Sequence, residues 1–215
     1  MSITMTATLF SILGAIAIGA MSPGPSFILV SRLSVSRSRL HGLAAAIGMG
    51  LGGALFATLA LAGLTALLQQ VAWLYLTLKV LGGAYLVYLG IRIWQGARLP
   101  VADAETGAYE GRSAGQCLAI AFATQISNPK TAVVYASIFA ALMPANPPAA
   151  ALLILPPAIF VIEAGWYAIV ALVFSARRSQ AVYLRFKLWV DRVAGAVMGA
   201  LGIRLISESL AAARS

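Results

Sequence analysis

Residues 19–31 read GAMSPGPSFILVS, and the reading of this stretch decides the fold. No charge occurs from Met1 to Ser31, yet Pro23, Gly24 and Pro25 interrupt the apolar run. Each proline lacks a backbone N–H and its ring clashes with the preceding turn, so a helix kinks or stops here. In a soluble core the helix would simply end. Within a bilayer the freed backbone groups must find partners inside the protein or in a water-filled cavity.

Composition decides for the bilayer. Of 215 residues, 61% are hydrophobic and 10% charged, with mean hydropathy +0.92; an ordinary soluble domain has about 25% charged residues. The net charge of +9 does not indicate nucleic acid, because the basic residues cluster between apolar runs and no basic face alternates with aromatics. The single cysteine, Cys117, excludes an intramolecular disulfide, a CxxC pair and a Cys-rich metal site. The single histidine, His41, has no carboxylate or cysteine arrangement around it, so neither a Ser/His/Asp triad nor a zinc site can be assembled. No enzyme, metal or cofactor is expected, and His41 reads as an interfacial residue. The N-terminal run lacks a basic leader and exceeds the roughly 7–15 residues of a signal peptide core, so it is expected to be retained as a span.

A bilayer core of about 30 Å needs about 20 apolar residues per helix. On that ruler the chain has six spans, at about 5–31, 42–68, 71–93, 115–143, 149–175 and 186–207. Gln69-Gln70 divides a charge-free run too long for one helix, and Asn146-Pro147-Pro148 marks another turn. The polar stretch with Asp103, Glu105 and Glu110 reads as a cytoplasmic linker, 95–112, between a first three-helix half, 1–94, and a second, 113–215. Basic residues follow span 1 (Arg32, Arg37, Arg39), lie in the linker (Arg98, Arg112) with Arg92 flanking it, and follow span 5 (Arg177, Arg178, Arg185, Lys187). The positive-inside rule then puts these three loops in the cytoplasm and both termini outside it.

The halves repeat. GGAYLVYLGIRI (82–93) returns as AGAVMGALGIRL (194–205), and MSPGPSFILVS in span 1 is answered by ISNPKTAVVYAS in span 4. With three spans per half, the second half inserts upside down. The expected fold is therefore an all-α polytopic membrane protein: six transmembrane helices in two inverted-topology repeats, with helices 1 and 4 broken, the architecture of many secondary transporters.

Lys130 and Glu163 lie roughly 20 Å from the ends of their spans at 1.5 Å per residue. A charge at that depth costs about 2.5–3.5 kcal/mol on insertion scales, so each should face the protein interior or water. They form either a structural ion pair or a solute or proton site, and substrate binding that breaks the pair reconciles the two. The repeat offset pairs Lys79 with Asp191 on opposite sides of the midplane, as gating elements; the rival reading of Asp191 is an ion pair with Arg192, Arg185 or Lys187. Gly48/Gly52 and Gly195/Gly199 are small-xxx-small pairs for close helix packing, within or between subunits. Trp73, Trp94 and Trp189 lie near span ends as interfacial anchors, whereas Trp166 lies one turn from Glu163 and is a candidate cavity residue.

The stretches at 21–53, 78–92, 126–139 and 191–205, in this order over almost the whole chain, resemble the lysine exporter (LysE/RhtB) family of bacterial amino-acid efflux proteins. The resemblance implies an inner-membrane exporter of an amino acid or close derivative, driven by protons and homo-oligomeric. Lys79, Asn128, Pro129, Lys130 and Glu163 match the family pattern. Ser26 stands where Asp or Asn is frequent, and Gly53 and Phe56 stand where span 2 often carries an acid and a histidine. Missing carboxylates favour a neutral or hydrophobic substrate over a basic one. The expected site joins Pro23, Gly24, Pro25 and Ser26 to Ser127, Asn128, Pro129 and Lys130, with Glu163 and Trp166 beside them. The rivals are a passive channel or exporter of another small solute, and a non-transporting scaffold.

Overall fold

The computed structural model describes residues 3–22, 24–70, 72–98, 111–144, 147–173 and 177–212. Among these every regular element is an α-helix: α1 (Ile3–Met21), α2 (Pro25–Ser36), α3 (Arg39–Gln70), α4 (Ala72–Gly96), α5 (Ala114–Ile126), α6 (Pro129–Leu142), α7 (Ala149–Val173) and α8 (Arg177–Ala212). Three stretches are long and apolar enough to cross a membrane, Arg39–Gly63, Ala149–Val173 and Leu188–Ala211. Met5–Met21 and Pro25–Val35, bent by 59° at the SPGPS break, make a fourth when counted as one span.

Both sequence-marked breaks are present. At the first, Gly24 adopts an extended conformation (φ −143°, ψ −165°) and Pro25 starts α2, where its missing N–H costs nothing. At the second, α5 ends at Ile126 and Pro129 opens α6. By contrast α7 runs on through Pro156 and Pro157. One boundary differs from expectation. The cations Arg177, Arg178, Arg185 and Lys187 were expected in a loop but belong to α8, which begins at Arg177; no glycine or proline between 177 and 194 stops the helix. Asp103, Glu105 and Glu110 of the linker and the Asn146 turn residue lie outside the described residues.

Two buried clusters organise the packing. One holds Ile12, Ile16, Ala57, Leu61, Tyr135, Ile138, Leu155 and Ile159; the other holds Phe27, Val30, Ala45, Met49, Cys117, Ala121, Tyr167 and Val170. Four segments pass from one cluster to the other. Along the chain, α1/α2 and α7 leave the first cluster for the second, whereas α3 and α5/α6 run from the second to the first. At each crossing the sequence changes character: SPGPS in the first segment, Gly53 in α3, SNP before α6, and Glu163 within the buried stripe Leu155, Ile159, Tyr167 and Ala171 of α7.

Glycines set the remaining contacts. A Cβ on Gly52 would lie 2.6 Å from Cγ of Gln125, and one on Gly48 would strike the backbone of α5 at Leu118 and Phe122. The Gly48/Gly52 pair thus packs α3 on α5 inside the subunit. On α4, Gly83 faces Gly202 and Ile206, while Gly90 faces Gly195 and Gly199, so α4 and α8 run antiparallel with their backbones touching. This register sets Asp191 near Trp94, some 22 Å of helix from position 79 at 1.5 Å per residue.

Candidate functional site

Three of the four crossings, the two breaks and the Glu163 turn of α7, line a partly open cleft with a cavity volume of about 50 Å³. Its lining takes Ser22, Gly24, Pro25 and Ser26 from the first break, Gln125 and Asn128 from the second, Thr131 and Tyr135 from α6, and Glu163 and Tyr167 from α7. Ile16, Ile93, Val134 and Met198 supply its apolar wall.

Its centre is a buried hydrogen-bond chain. Ser26 Oγ donates to Gln125 Oε1 (3.0 Å), and Gln125 Nε2 donates to Glu163 Oε2 (2.6 Å). From the other side Tyr135 Oη donates to Glu163 Oε1 (2.6 Å). Ser26, Gln125 and Glu163 are only 6%, 2% and 3% exposed, so these bonds replace nearly all hydration of the carboxylate. Bonds to an ionised acceptor are shorter and roughly twice as strong as neutral ones. Gln125 turns its NH2 to Glu163 and its carbonyl to Ser26, so the Glu163 side chain accepts from both of its donors. Two of the carboxylate's four lone-pair sites remain for a ligand.

Gly53 is what lets α3 close over this acid. A Cβ there would lie 2.8 Å from Tyr135 Oη and 2.9 Å from Glu163 Cδ and Oε2. Phe56, one turn on, packs its ring 5.8 Å from that of Tyr135. Gly53 and Phe56, two of the three residues expected to depart from the family pattern, therefore border Glu163 and its tyrosine partner.

A second acid holds the same break from the opposite side. Asp191 of α8 is 4% exposed and its Oδ1 accepts from Ser22 Oγ at 2.8 Å. Arg192, one of the ion-pair partners considered for it, instead stacks on the rings of Trp94 and Trp189. The SPGPS segment is thus held at both ends: by Ser22 to Asp191 and by Ser26, through Gln125, to Glu163.

The structure brings Gly24, Pro25, Ser26, Asn128 and Glu163 of the expected site to one cleft. Ser127 is exposed beside it. Trp166 packs against the Phe27 cluster and its neighbour Tyr167 takes the place at the cleft. Pro23 lies outside the described residues, as do the side chains of Lys79, Pro129 and Lys130. Sequence reasoning missed Gln125 and Tyr135. The signal for both was helical spacing: Gln125 follows Cys117 and Ala121 on the buried stripe of α5, and Tyr135 heads the stripe with Ile138 and Phe139 on α6.

Comparison with known proteins identifies the family. The family model described as LysE type translocator matches residues 17–209. Threonine efflux proteins of Salmonella typhi and Salmonella typhimurium are each 33% identical over 190 residues, covering 88% of this chain and 92% of theirs. The threonine efflux protein of Escherichia coli K12 is 31% identical over the same coverage. No solved structure matches. A translocator family model over residues 17–209 settles the class: the chain is a membrane transporter, not an enzyme, and belongs to the LysE type translocator family.

Proposed function

We propose that the protein exports a small neutral amino acid or close derivative across the bacterial inner membrane in exchange for protons. The observation that carries this reading is the buried chain Ser26–Gln125–Glu163–Tyr135, which ties both helix breaks to one acid in one cleft. The ammonium of a zwitterion binds the free lone pairs of Glu163 and Ser26. Its carboxylate binds the backbone N–H groups that open α2 and α6, beside Pro23–Ser26 and Ser127–Lys130, with Lys130 as counter-charge. Glu163 is the coupling group, carrying either a proton or the ammonium. Asp191 and Lys79 act as gates at opposite ends of the path. The threonine efflux relatives support a neutral substrate, as does the space kept by Gly53 where a further acid would add charge.

The six spans are read as an inverted repeat, 1–94 and 113–215 joined by the linker 95–112, with α1/α2 and α5/α6 each counted as one broken helix. Two observations support this. The paired segments run oppositely between the two apolar clusters, α1/α2 against α5/α6 and α3 against α7. The contacts of α4 with α8 also exchange under the repeat offset: Gly83 with Gly202 becomes Gly195 with Gly90, Gly83 with Ile206 becomes Gly195 with Trp94, and Val87 with Gly202 becomes Gly199 with Gly90. A two-fold axis between the halves requires that exchange. Both termini then lie outside the cytoplasm, by the distribution of basic residues.

Counterflow in proteoliposomes with a panel of labelled amino acids tests transport and substrate together. The expected result is saturable exchange of a neutral amino acid that depends on a pH gradient. Equal transport by Glu163→Gln without that dependence refutes the coupling role.

A further inference from the structure

Arg192 lies outside the cleft and the transport reading assigns it nothing. Its Cζ sits 5.4 Å from the ring centroid of Trp94 and 5.9 Å from that of Trp189, between α4 and α8. Its Nε is buried without a hydrogen-bond partner. Among the described residues the guanidinium forms no hydrogen bond or ion pair at all, although it carries five N–H donors. Asp191, the acid next to it in sequence, is buried and accepts from Ser22. The two indoles that hold the cation are 48% and 64% exposed, and Arg92 near the end of α4 and Arg98 just past it are also exposed.

We propose that the Trp94–Arg192–Trp189 clamp is a binding site for the headgroup of an anionic phospholipid. Three features select that ligand. An oriented guanidinium with unpaired donors matches a phosphodiester, whose oxygens take two parallel N–H bonds. Trp94 stands two residues before the end of α4 at Gly96, the level at which tryptophans of membrane helices meet headgroups. From there toward the middle of both helices runs a strip of exposed apolar side chains, Tyr88 and Ile91 on α4 and Val193 on α8, where an acyl chain lies. The surplus of positive charge at this end favours an anionic headgroup over a zwitterionic one. Glycine contacts hold α4 against α8 directly beneath the clamp, so a bound lipid ties together the helices that meet at this seam.

The test uses the full chain in a neutral detergent, followed by thermal melting and by native mass spectrometry of retained lipid. Phosphatidylglycerol, phosphatidylcholine and inorganic phosphate are the probes. Phosphatidylglycerol is expected to raise the melting midpoint at about tenfold lower concentration than phosphatidylcholine, the effect of about one bond to a charged group. Arg192→Gln should erase that preference. Trp189→Leu, at an exposed position where folding is not at stake, should weaken it about threefold, as loss of one cation–π contact predicts. Equal response to the two lipids, a matching response to inorganic phosphate, or full preference in either variant overturns the proposal.

Discussion

Two buried acids grip one unwound segment, and they do it differently. Glu163 sits mid-helix in α7 between the two apolar clusters and takes short bonds from Gln125 and Tyr135. Asp191 lies at the α4–α8 seam and takes a bond directly from Ser22. Between Glu163 and the break stands an amide; between Asp191 and the break stands nothing. An amide relay can pass a change of charge along a hydrogen-bond chain, because Gln125 keeps its orientation only while Glu163 accepts from it. A direct serine bond acts as a tether. The comparison separates two placements: Glu163 lines the cleft and reaches the break through Gln125, whereas Asp191 bonds the break directly from the α4–α8 seam.

The largest effect is expected at Glu163. Glu163→Gln removes the charge that two donors address, and exchange in proteoliposomes should fall by about 100-fold, the upper range for losing a bond to an ionised group. If Asp191→Asn cuts exchange as deeply, the distinction between the acids fails. Tyr135→Phe and Gln125→Leu each remove one donor to Glu163 and should cost about tenfold. Combining either with Glu163→Gln should add little, since the residues act as one unit; additive losses in that double-mutant cycle would break the chain apart.

Gly53→Ala probes the same acid from α3. Its methyl group has no room beside Glu163 and Tyr135, so the melting midpoint should drop by the equivalent of about 1–3 kcal/mol, as overpacking does, and exchange should fall with it. Asp191→Asn should behave otherwise. An asparagine carbonyl still accepts from Ser22, so the fold should lose only about 1 kcal/mol and the maximal rate should change more than the apparent affinity. The smallest effect belongs to Ser26→Ala, which leaves the Gln125 carbonyl without its donor and should weaken apparent substrate affinity about fivefold, within the range for a neutral hydrogen bond. A loss there equal to that of Glu163→Gln would make Ser26, not the acid, the principal ligand.

Much of this was legible in the sequence for a simple reason: a bilayer leaves few solutions. Uncharged runs of the right length, basic residues between them and prolines inside them predict membrane helices, and the breaks at SPGPS and SNP fall where they were expected. Glu163 was legible because a charge at that depth must have a purpose. Pro156 and Pro157 show the limit. They obey the same local rule as Pro23 and Pro25, yet α7 stays helical through them, because local sterics only disfavour the helix and the surrounding packing decides whether it yields.

The sequence by itself determined that this is a polytopic membrane protein with two proline breaks and a buried acid, since length, hydropathy and missing N–H groups are properties of the chain alone. Only the tertiary structure decided the acid's partners. Gln125 and Tyr135 come from α5 and α6, Glu163 from α7, and Gly53 from α3, and no spacing along the chain reveals which stripes will face one another. Direction of packing, close approach at glycine and the polarity of a hydrogen-bond chain arise only when helices distant in sequence are pressed into contact.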